Sequence, residues 1–189
     1  MKTKYHRRLT LVGLTGYAGT GKDAVRAILQ ESGFNGFAFA DPIRTMLNQL
    51  LTSNGIDPAW MNERNKKEEI IPALGVSYRH MAQTLGTEWG RGLQGDFWLR
   101  IADSYLNDLT WDSTLTHFVV SDVRFENEAE WVRERGGVIW RIHRPLAEPV
   151  RGHASESGID RIAPDLTIQN TGTMEDLKEA VFGALQVLA

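Results

Sequence analysis

The sequence contains no cysteine, little net charge and no long apolar run. The lack of cysteine excludes disulfides, thiolate zinc sites and cysteine nucleophiles, and it is compatible with a reducing compartment. A formal net charge of −3 gives no general basic field, so we expect no nucleic-acid polymer as a partner. The apolar run after the basic residues 1–8 is too short and too rich in glycine for a signal sequence or a membrane span. We therefore expect a soluble, cytoplasmic protein without membrane contact.

A length of 189 residues, of which 42% are hydrophobic, is enough for one substantial core and short for two. We expect a single domain over residues 1–189. Residues around 52–95 include a polar, charge-rich interval with Asn-Gly and Asp-Pro breakers, which indicates an excursion from the core. Residues around 144–163 form a second long, polar stretch.

Hydrophobic periodicity predicts strands that alternate with helices, which is typical of an α/β domain. The predicted strands are the apolar run 9–14 and the ranges 34–40, 115–121, 138–142 and 165–169. Helices are predicted over 24–29, 42–51, 77–85 and 97–109, and from residue 126 up to Gly136. A last helix is predicted after Thr173, and Thr173 is expected to cap it.

A glycine-rich stretch between the first strand and the first helix organises the chain. It satisfies seven of the eight positions of the P-loop signature G-x-x-x-x-G-K-[ST]. Glycines let the backbone curl around phosphate oxygens, the helix N-terminus favours negative charge, and Lys22 supplies a cation. An ordinary turn is the alternative, but a turn does not require the lysine. The predicted ATP-phosphate ligands are Gly16, Tyr17, Ala18, Gly19, Thr20, Gly21, Lys22 and Asp23.

Two aspartates are candidate magnesium ligands. Asp23 stands where the signature has a magnesium-binding hydroxyl, and its carboxylate can either bind the ion or stabilise the helix dipole. Asp122 follows the strand predicted over 115–121, and an acidic residue there, beside a P-loop, can hold or orient Mg²⁺. Helix capping is the alternative role for Asp122.

Arginines are the candidate counter-charges for phosphate. Arg44 lies with Asp41 just after the second predicted strand, at the edge where open α/β sheets bind ligands. Asp41 is also predicted to cap a helix whose first residue is Pro42. Arg124 follows the third predicted strand and is expected to act as a phosphate clamp.

The stretch 144–164, which includes the segment around 144–163, contains three prolines and the arginines Arg144, Arg151 and Arg161. A loop of this length in a compact domain is usually disordered or functional. We predict a lid, because phosphoryl transfer needs cations that arrive with closure and exclude water. A solvated charged loop is the alternative. Elsewhere, Trp89 and Trp98 are candidates for stacking on a base or for core packing.

Several motifs, in one order along nearly the whole chain, resemble the bacteriophage-type deoxynucleoside monophosphate kinases. They are GYAGTGKD (16–23), FADPIR (39–44), QTLGTEWGR (83–91), DVRFENEAE (122–130), HASE (153–156) and DLTIQNTGT (165–173). The GKD sequence is usual in that family, so Asp23 is a family feature. The threonine that commonly follows it is Ala24 here.

The resemblance implies a P-loop NTPase fold, a three-layer α/β/α domain with a five-stranded parallel sheet and helices on both faces. It also implies a kinase that uses ATP and Mg²⁺ and phosphorylates a deoxynucleoside monophosphate. The implied catalytic residues are Lys22, Arg44, Asp122, Arg124, Arg144 and Arg151, with Asp23 and Asp122 for the metal. Asn170, Thr171 and Gly172 resemble a loop that meets adenine. The implied acceptor-binding residues are Asp41, Arg44, Gln83, Thr87, Glu88, Trp89, Arg91, Trp98 and Arg124.

Two other functions remain open at the level of sequence. One is another small P-loop kinase that resembles dephospho-coenzyme A kinase, which shares the pattern N-x-G-[TS] near the C-terminus. The other is a nucleotide-dependent switch that binds a partner through its excursion. The sequence does not decide the accepted base, the preference for a deoxy sugar, or the choice between a monomer and a homodimer.

Overall fold

The computed structural model describes residues 9–63, 65–111, 115–145 and 158–188 of the chain. The chain divides into two compact units, one formed by Met1–Ala38 with Ala102–Ala189 and the other by Phe39–Ile101. Among the helices in these described ranges, none combines the length and the apolar character needed to cross a membrane.

The secondary structure alternates between strands and helices, as the periodicity predicted. In chain order the elements are β1 (Thr10–Thr15), α1 (Lys22–Glu31), β2 (Asn35–Phe37), α2 (Asp41–Ser53), α3 (Ala59–Asn62), a 3₁₀ turn (Lys66–Glu68), β3 (Ile70–Ile71), β4 (Val76–Ser77), α4 (Tyr78–Gln83), a π-helix (Thr84–Arg91), α5 (Phe97–Trp111), β5 (His117–Val120), α6 (Glu126–Glu134), β6 (Val138–His143), a 3₁₀ turn (Ile159–Arg161), β7 (Leu166–Gln169) and α7 (Met174–Gln186).

The first unit is built on a five-stranded sheet with the order β2-β5-β1-β6-β7. Every neighbouring pair of strands is parallel. All five strands therefore end at the same edge of the sheet, and β1 lies at the centre of that edge. The prediction of five strands is confirmed, although β2 covers only three residues of the range predicted for it.

Side chains of β1 alternate between two apolar layers. Val12 and Leu14 are fully buried in a core cluster formed with side chains of α1 and α7. On the opposite face, a Cβ atom at Gly13 would lie 3.2 Å from Cγ2 of Val132 in α6, so glycine lets this helix approach the sheet closely. The sheet is therefore covered by helices on both faces, which gives a three-layer α/β/α arrangement.

Residues of α5 and α6 are joined by a polar contact at the edge of this unit. The indole N–H of Trp131 and the guanidinium of Arg135 both donate to Asp103 Oδ1. Arg135 also lies over the ring of Trp131, with its Cζ atom 4.0 Å from the ring centroid. This cluster therefore ties the second half and the C-terminal end of α6 to α5.

The second unit holds α2, the short hairpin β3–β4, α4, the π-helix and residues 97–101 of α5. The antiparallel hairpin was not predicted from the sequence, because its strands have only two residues each. The helix predicted over 77–85 ends as a π-helix: its last two residues, Thr84 and Leu85, are the first two of the π-helical segment, which the periodicity does not predict. The predicted cap at Asp41 is wrong: Ala40 is the N-cap residue of α2 and Asp41 lies in its first turn.

Candidate active site

The glycine-rich stretch forms a tight loop between β1 and α1. Gly16 has φ +137°, and a Cβ atom there would lie 2.5 Å from the carbonyl oxygen of Ile142. Gly21 has φ +104°, and its Cβ would collide with the side-chain amide of Asn170. Each position therefore requires glycine for two reasons: its φ is positive, and there is no space for a Cβ atom.

Lys22 is the first residue of α1, and its ammonium lies against the loop. Nζ donates to the carbonyl oxygens of Gly16 at 2.6 Å and Tyr17 at 2.7 Å. The carbonyl of Tyr17 also accepts from the buried Thr20 hydroxyl at 3.0 Å. Positive charge is thus held at the N-terminus of α1, whose first N–H groups and dipole already favour an anion. This arrangement suits a phosphate group.

Asn170 ties the loop to the end of the neighbouring strand. It follows β7 directly, and its side-chain amide donates to the Thr20 carbonyl at 2.8 Å. The next residues, Thr171 and Gly172, are exposed and lead to the capping box of α7, in which the Thr173 hydroxyl accepts from the Asp176 N–H. The prediction that Thr173 caps the last helix is confirmed.

Asp122 lies two residues beyond β5, at the carboxyl edge beside the phosphate-binding loop. It is 9% exposed, and the flanking N–H groups of Ser121 and Val123 donate to Phe37 and Leu14, on the strands at either side. Helix α6 begins at Glu126 with Phe125 as its N-cap residue, so the alternative role of Asp122 as a helix cap is not seen.

Asp23 is exposed in the first turn of α1. In the part of the chain that the structure describes, no three His, Asp or Glu side chains cluster as a metal site. Kinase sites hold Mg²⁺ with one or two carboxylates together with phosphate oxygens and water, so a protein cage of three ligands is not needed. The carboxylates of Asp23 and Asp122 have the right chemistry for such a site.

Arg124 is held through its backbone. Its N–H and that of Phe125 both donate to Glu128 Oε2, at 2.7 and 3.1 Å. Glu128 is 4% exposed, and its carboxylate accepts from the N-cap residue of α6 and from the residue before that cap. On the other side, a Cβ atom at Gly158 would lie 2.6 Å from the Arg124 carbonyl oxygen, so only glycine fits there.

The predicted lid is described only in part. Arg144 is exposed directly after β6, at the same edge of the sheet as the phosphate-binding loop. Arg151 and the HASE motif lie outside the described residues. Residues 158–162 are described and form a turn with buried Ile159 and Ile162.

In the second unit, Arg44 and Asp41 form an ion pair of 2.7 Å in the first turn of α2. Both side chains are more than a third exposed, so the pair contributes little to stability. Tyr78 of the same unit is buried, and burial raises the pKa of its hydroxyl above 10.0, while the charge of Arg44 acts in the opposite direction.

The QTLGTEWGR motif is almost entirely π-helical, over Thr84–Arg91. Its glycines face Trp98, which is 5% exposed: the indole N–H donates to the Gly86 carbonyl at 2.8 Å, and a Cβ atom at Gly90 would collide with the indole ring. Trp89 is 45% exposed and touches Phe97 and Trp98 edge-on or tilted. The other candidates in this segment are Gln83, Thr87 and Arg91, which are half-buried, and Glu88, which is exposed.

Sequence reasoning missed three contributors to these sites. Glu128 could have been recognised, because a glutamate three residues after a helix N-cap is half of a capping box. Thr15, fully buried before the loop, has a hydroxyl without a hydrogen-bond partner among the described residues. The third is Asp160, whose partner Tyr17 is 143 residues away in sequence, so no local pattern could have revealed the contact.

A sequence model of the family described as deoxynucleotide monophosphate kinase matches residues 61–181, more than half of the chain. The chain belongs to this family. A protein of Acanthamoeba polyphaga mimivirus that carries the same family name is 27% identical over 187 residues, which cover 94% of this chain and 96% of that protein. The deoxynucleotide monophosphate kinase of Enterobacteria phage T4 is 28% identical over 114 residues, 59% of this chain and 46% of the phage protein. The chain thus spans less than half of that relative.

A solved structure shares the fold of this chain. TT1252 from Thermus thermophilus is similar with a TM-score of 0.53 and 18% identity, over 97% of this chain and 100% of that one. At this identity the likeness concerns the fold alone. The fold is the α/β P-loop fold that the sequence predicted, and family membership makes the chain an ATP-dependent phosphotransferase.

Proposed function

We propose that this member of the family transfers the γ-phosphoryl group of ATP to a deoxynucleoside monophosphate, giving the diphosphate and ADP. The observation that carries the proposal is the loop after β1, where Lys22 Nζ lies within 2.7 Å of two loop carbonyls at the N-terminus of α1. Such a loop supplies backbone N–H donors and a lysine to a phosphate chain.

The mechanism follows from the charges of the substrates. Two anionic nucleotides repel each other, so catalysis consists of holding them in line and stabilising the charge that moves between them. Lys22 and the loop are assigned to the β- and γ-phosphates of ATP. The acceptor phosphate is assigned to Arg44 and Arg124. The negative charge that moves between the two phosphates during transfer is assigned to Arg144 and Arg151. A strong base is not required, because the monophosphate oxygen is already anionic.

Two carboxylates and one hydroxyl fit a magnesium ion at the phosphates. Asp122 is nearly buried at the edge beside the loop, Asp23 is exposed in the first turn of α1, and Thr20 keeps a hydroxyl within the loop. A bound ion would supply positive charge that offsets the negative charge of the phosphates. In this proposal Asp122 and Asp23 would hold the ion, Asp23 either directly or through water.

Adenine recognition is proposed for the loop that follows β7. Thr171 and Gly172 are exposed there, so their peptide groups can face a base. The side chain of Asn170 donates to the phosphate-binding loop and is therefore assigned to positioning rather than to base contact.

One assay tests the proposed function. ADP release from ATP is measured with Mg²⁺ against a panel of ribo- and deoxynucleoside monophosphates, with dephospho-coenzyme A as a further acceptor. We expect at least one deoxynucleoside monophosphate to accelerate ADP release strongly. Acceleration by dephospho-coenzyme A alone would support the alternative kinase, and tight ATP binding with no effective acceptor would support a nucleotide-dependent switch.

A further inference from the structure

The turn at residues 158–162 is attached to the first unit by two buried side chains and by hydrogen bonds from β6. Ile159 and Ile162 are each 2% exposed, so their side chains anchor the turn in the first unit. One guanidinium nitrogen of Arg141, in β6, donates to the carbonyl oxygens of both isoleucines, at 3.0 and 2.6 Å. The turn is thus packed and hydrogen-bonded onto the first unit, although it lies within the stretch predicted as a lid.

The same turn contacts residues assigned to both substrates. The Tyr17 hydroxyl of the phosphate-binding loop donates to Asp160 Oδ1 at 2.5 Å. Gly158 lies against the carbonyl of Arg124, a contact that leaves no room for a Cβ atom. One short segment therefore connects the loop assigned to ATP with the backbone of an arginine assigned to the acceptor phosphate.

Tyr17 takes part in this connection through both its backbone and its side chain. Its carbonyl accepts from Lys22 Nζ at 2.7 Å and from the Thr20 hydroxyl at 3.0 Å, so its backbone forms the centre of the loop's own hydrogen bonds. Its side chain is the part that reaches Asp160. Tyr17 thus holds Lys22 through its carbonyl and contacts Asp160 through its hydroxyl.

We propose that Asp160 is a positioning residue for phosphoryl transfer, acting through the hydroxyl of Tyr17. By holding Tyr17, Asp160 sets the phosphate-binding loop at a fixed distance from Arg124. The inference rests on the proposed function, because it concerns the alignment of the two phosphate sites. Alignment affects the chemical step more than binding, since reacting groups must be held within a fraction of an ångström.

The alternative is a surface hydrogen bond without a catalytic consequence. Both partners are accessible to water, so the bond itself adds little to the stability of the fold. Its loss should therefore leave the melting temperature nearly unchanged, and a fall in kcat cannot then be attributed to unfolding. This separation makes the role testable.

The test uses the full chain, four variants of the Tyr17–Asp160 pair and one control variant. Tyr17→Phe removes only the donor, Asp160→Ala removes the acceptor, and Asp160→Asn keeps an acceptor oxygen in the same place. The double variant Tyr17→Phe with Asp160→Ala closes a mutant cycle. Tyr105→Phe is the matched control, because Tyr105 is a 45% exposed tyrosine of α5 outside the proposed machinery. The readouts are kcat, KM for each substrate, and melting temperature.

We expect kcat to fall about tenfold in Tyr17→Phe and in Asp160→Ala, with smaller changes in both KM values. Asp160→Asn should retain kcat within about threefold, and the double variant should be no slower than the slower single variant. Tyr105→Phe should match the wild type.

The outcomes separate the inference from the function on which it rests. A wild-type protein without monophosphate-dependent ADP release would refute the proposed function. An active wild type with Tyr17→Phe within about twofold of its kcat would overturn the positioning role alone. The positioning role would also be overturned if the kcat losses of the two single variants multiply in the double variant. The same holds if kcat falls as much in Asp160→Asn as in Asp160→Ala.

Discussion

Replacement of Trp98 by phenylalanine tests whether the π-helix depends on one side chain. Trp98 is 5% exposed, its indole N–H donates to the Gly86 carbonyl at 2.8 Å, and its ring lies against Gly90. Phenylalanine keeps an aromatic ring but cannot donate the hydrogen bond. It also lacks the second ring of the indole, so part of the contact with Gly90 is lost.

The magnitude follows from these two losses. The part-buried Gly86 carbonyl, left without this donor, costs about 1–3 kcal/mol. The lost ring atoms leave a small cavity, which adds about 1 kcal/mol. We expect the free energy of unfolding to fall by about 2–4 kcal/mol. Because the π-helix carries Thr87, Glu88 and Arg91, we also expect KM for the monophosphate to rise about tenfold while KM for ATP changes little.

The assay is urea unfolding followed by far-ultraviolet circular dichroism, which does not depend on tryptophan emission, combined with initial rates. Trp89→Phe is the stability control, because a 45% exposed tryptophan should lose less than about 1 kcal/mol. If Trp98→Phe is as stable as that control and binds the monophosphate normally, the hydrogen bond to Gly86 does not hold the π-helix and the reasoning is refuted.

Three further predictions use the same assays. Lys22→Ala should abolish phosphoryl transfer without lowering the melting temperature, and full activity in a folded variant would contradict the assignment of the loop. Arg44→Ala and Arg124→Ala should each raise KM for the monophosphate and leave ATP affinity nearly unchanged, as measured by initial rates and calorimetry; the reverse pattern would move them to the ATP side. Asp176→Asn should lower the melting temperature at pH 7, because hydrogen bonds from Thr173 hold the pKa of Asp176 below 3.8. A carboxyl whose pKa is lowered by folding stabilises the protein above its unfolded pKa, so the difference from wild type should shrink as the pH falls below 3.8, and a gap that persists in acid would argue against this cap.

The features that the sequence predicted are those that depend on near neighbours. The tight glycine-rich loop between β1 and α1 could be predicted because glycine and lysine at fixed spacing, between an apolar strand and a helix, have a direct conformational meaning. The cap at Thr173 could be predicted for the same reason. The five strands followed from apolar runs bounded by turn residues, and their common carboxyl edge follows from parallel pairing.

The features that escaped prediction depend on packing between distant segments. No periodicity distinguishes the π-helix at Thr84–Arg91 from the end of an α-helix, because its geometry is set by the contacts that Gly86 and Gly90 make with Trp98. The cap predicted at Asp41 failed for a related reason. A carboxylate before a proline suits a cap, but α2 begins one residue earlier and Asp41 pairs with Arg44 instead.

Asn170 shows how these distant contacts change the meaning of a motif. The resemblance places it in a loop that meets adenine, and a reading residue by residue would assign its amide to the base. In the structure that amide donates to the Thr20 carbonyl, 150 residues away in sequence. It also lies so close to Gly21 that no residue larger than glycine fits at position 21. The loop proposed for adenine and the loop proposed for the phosphates are therefore joined by one side chain. Binding of the base and the geometry of the phosphate site should then be coupled, and a change at Asn170 should affect the rate of transfer even though the residue touches neither reacting atom.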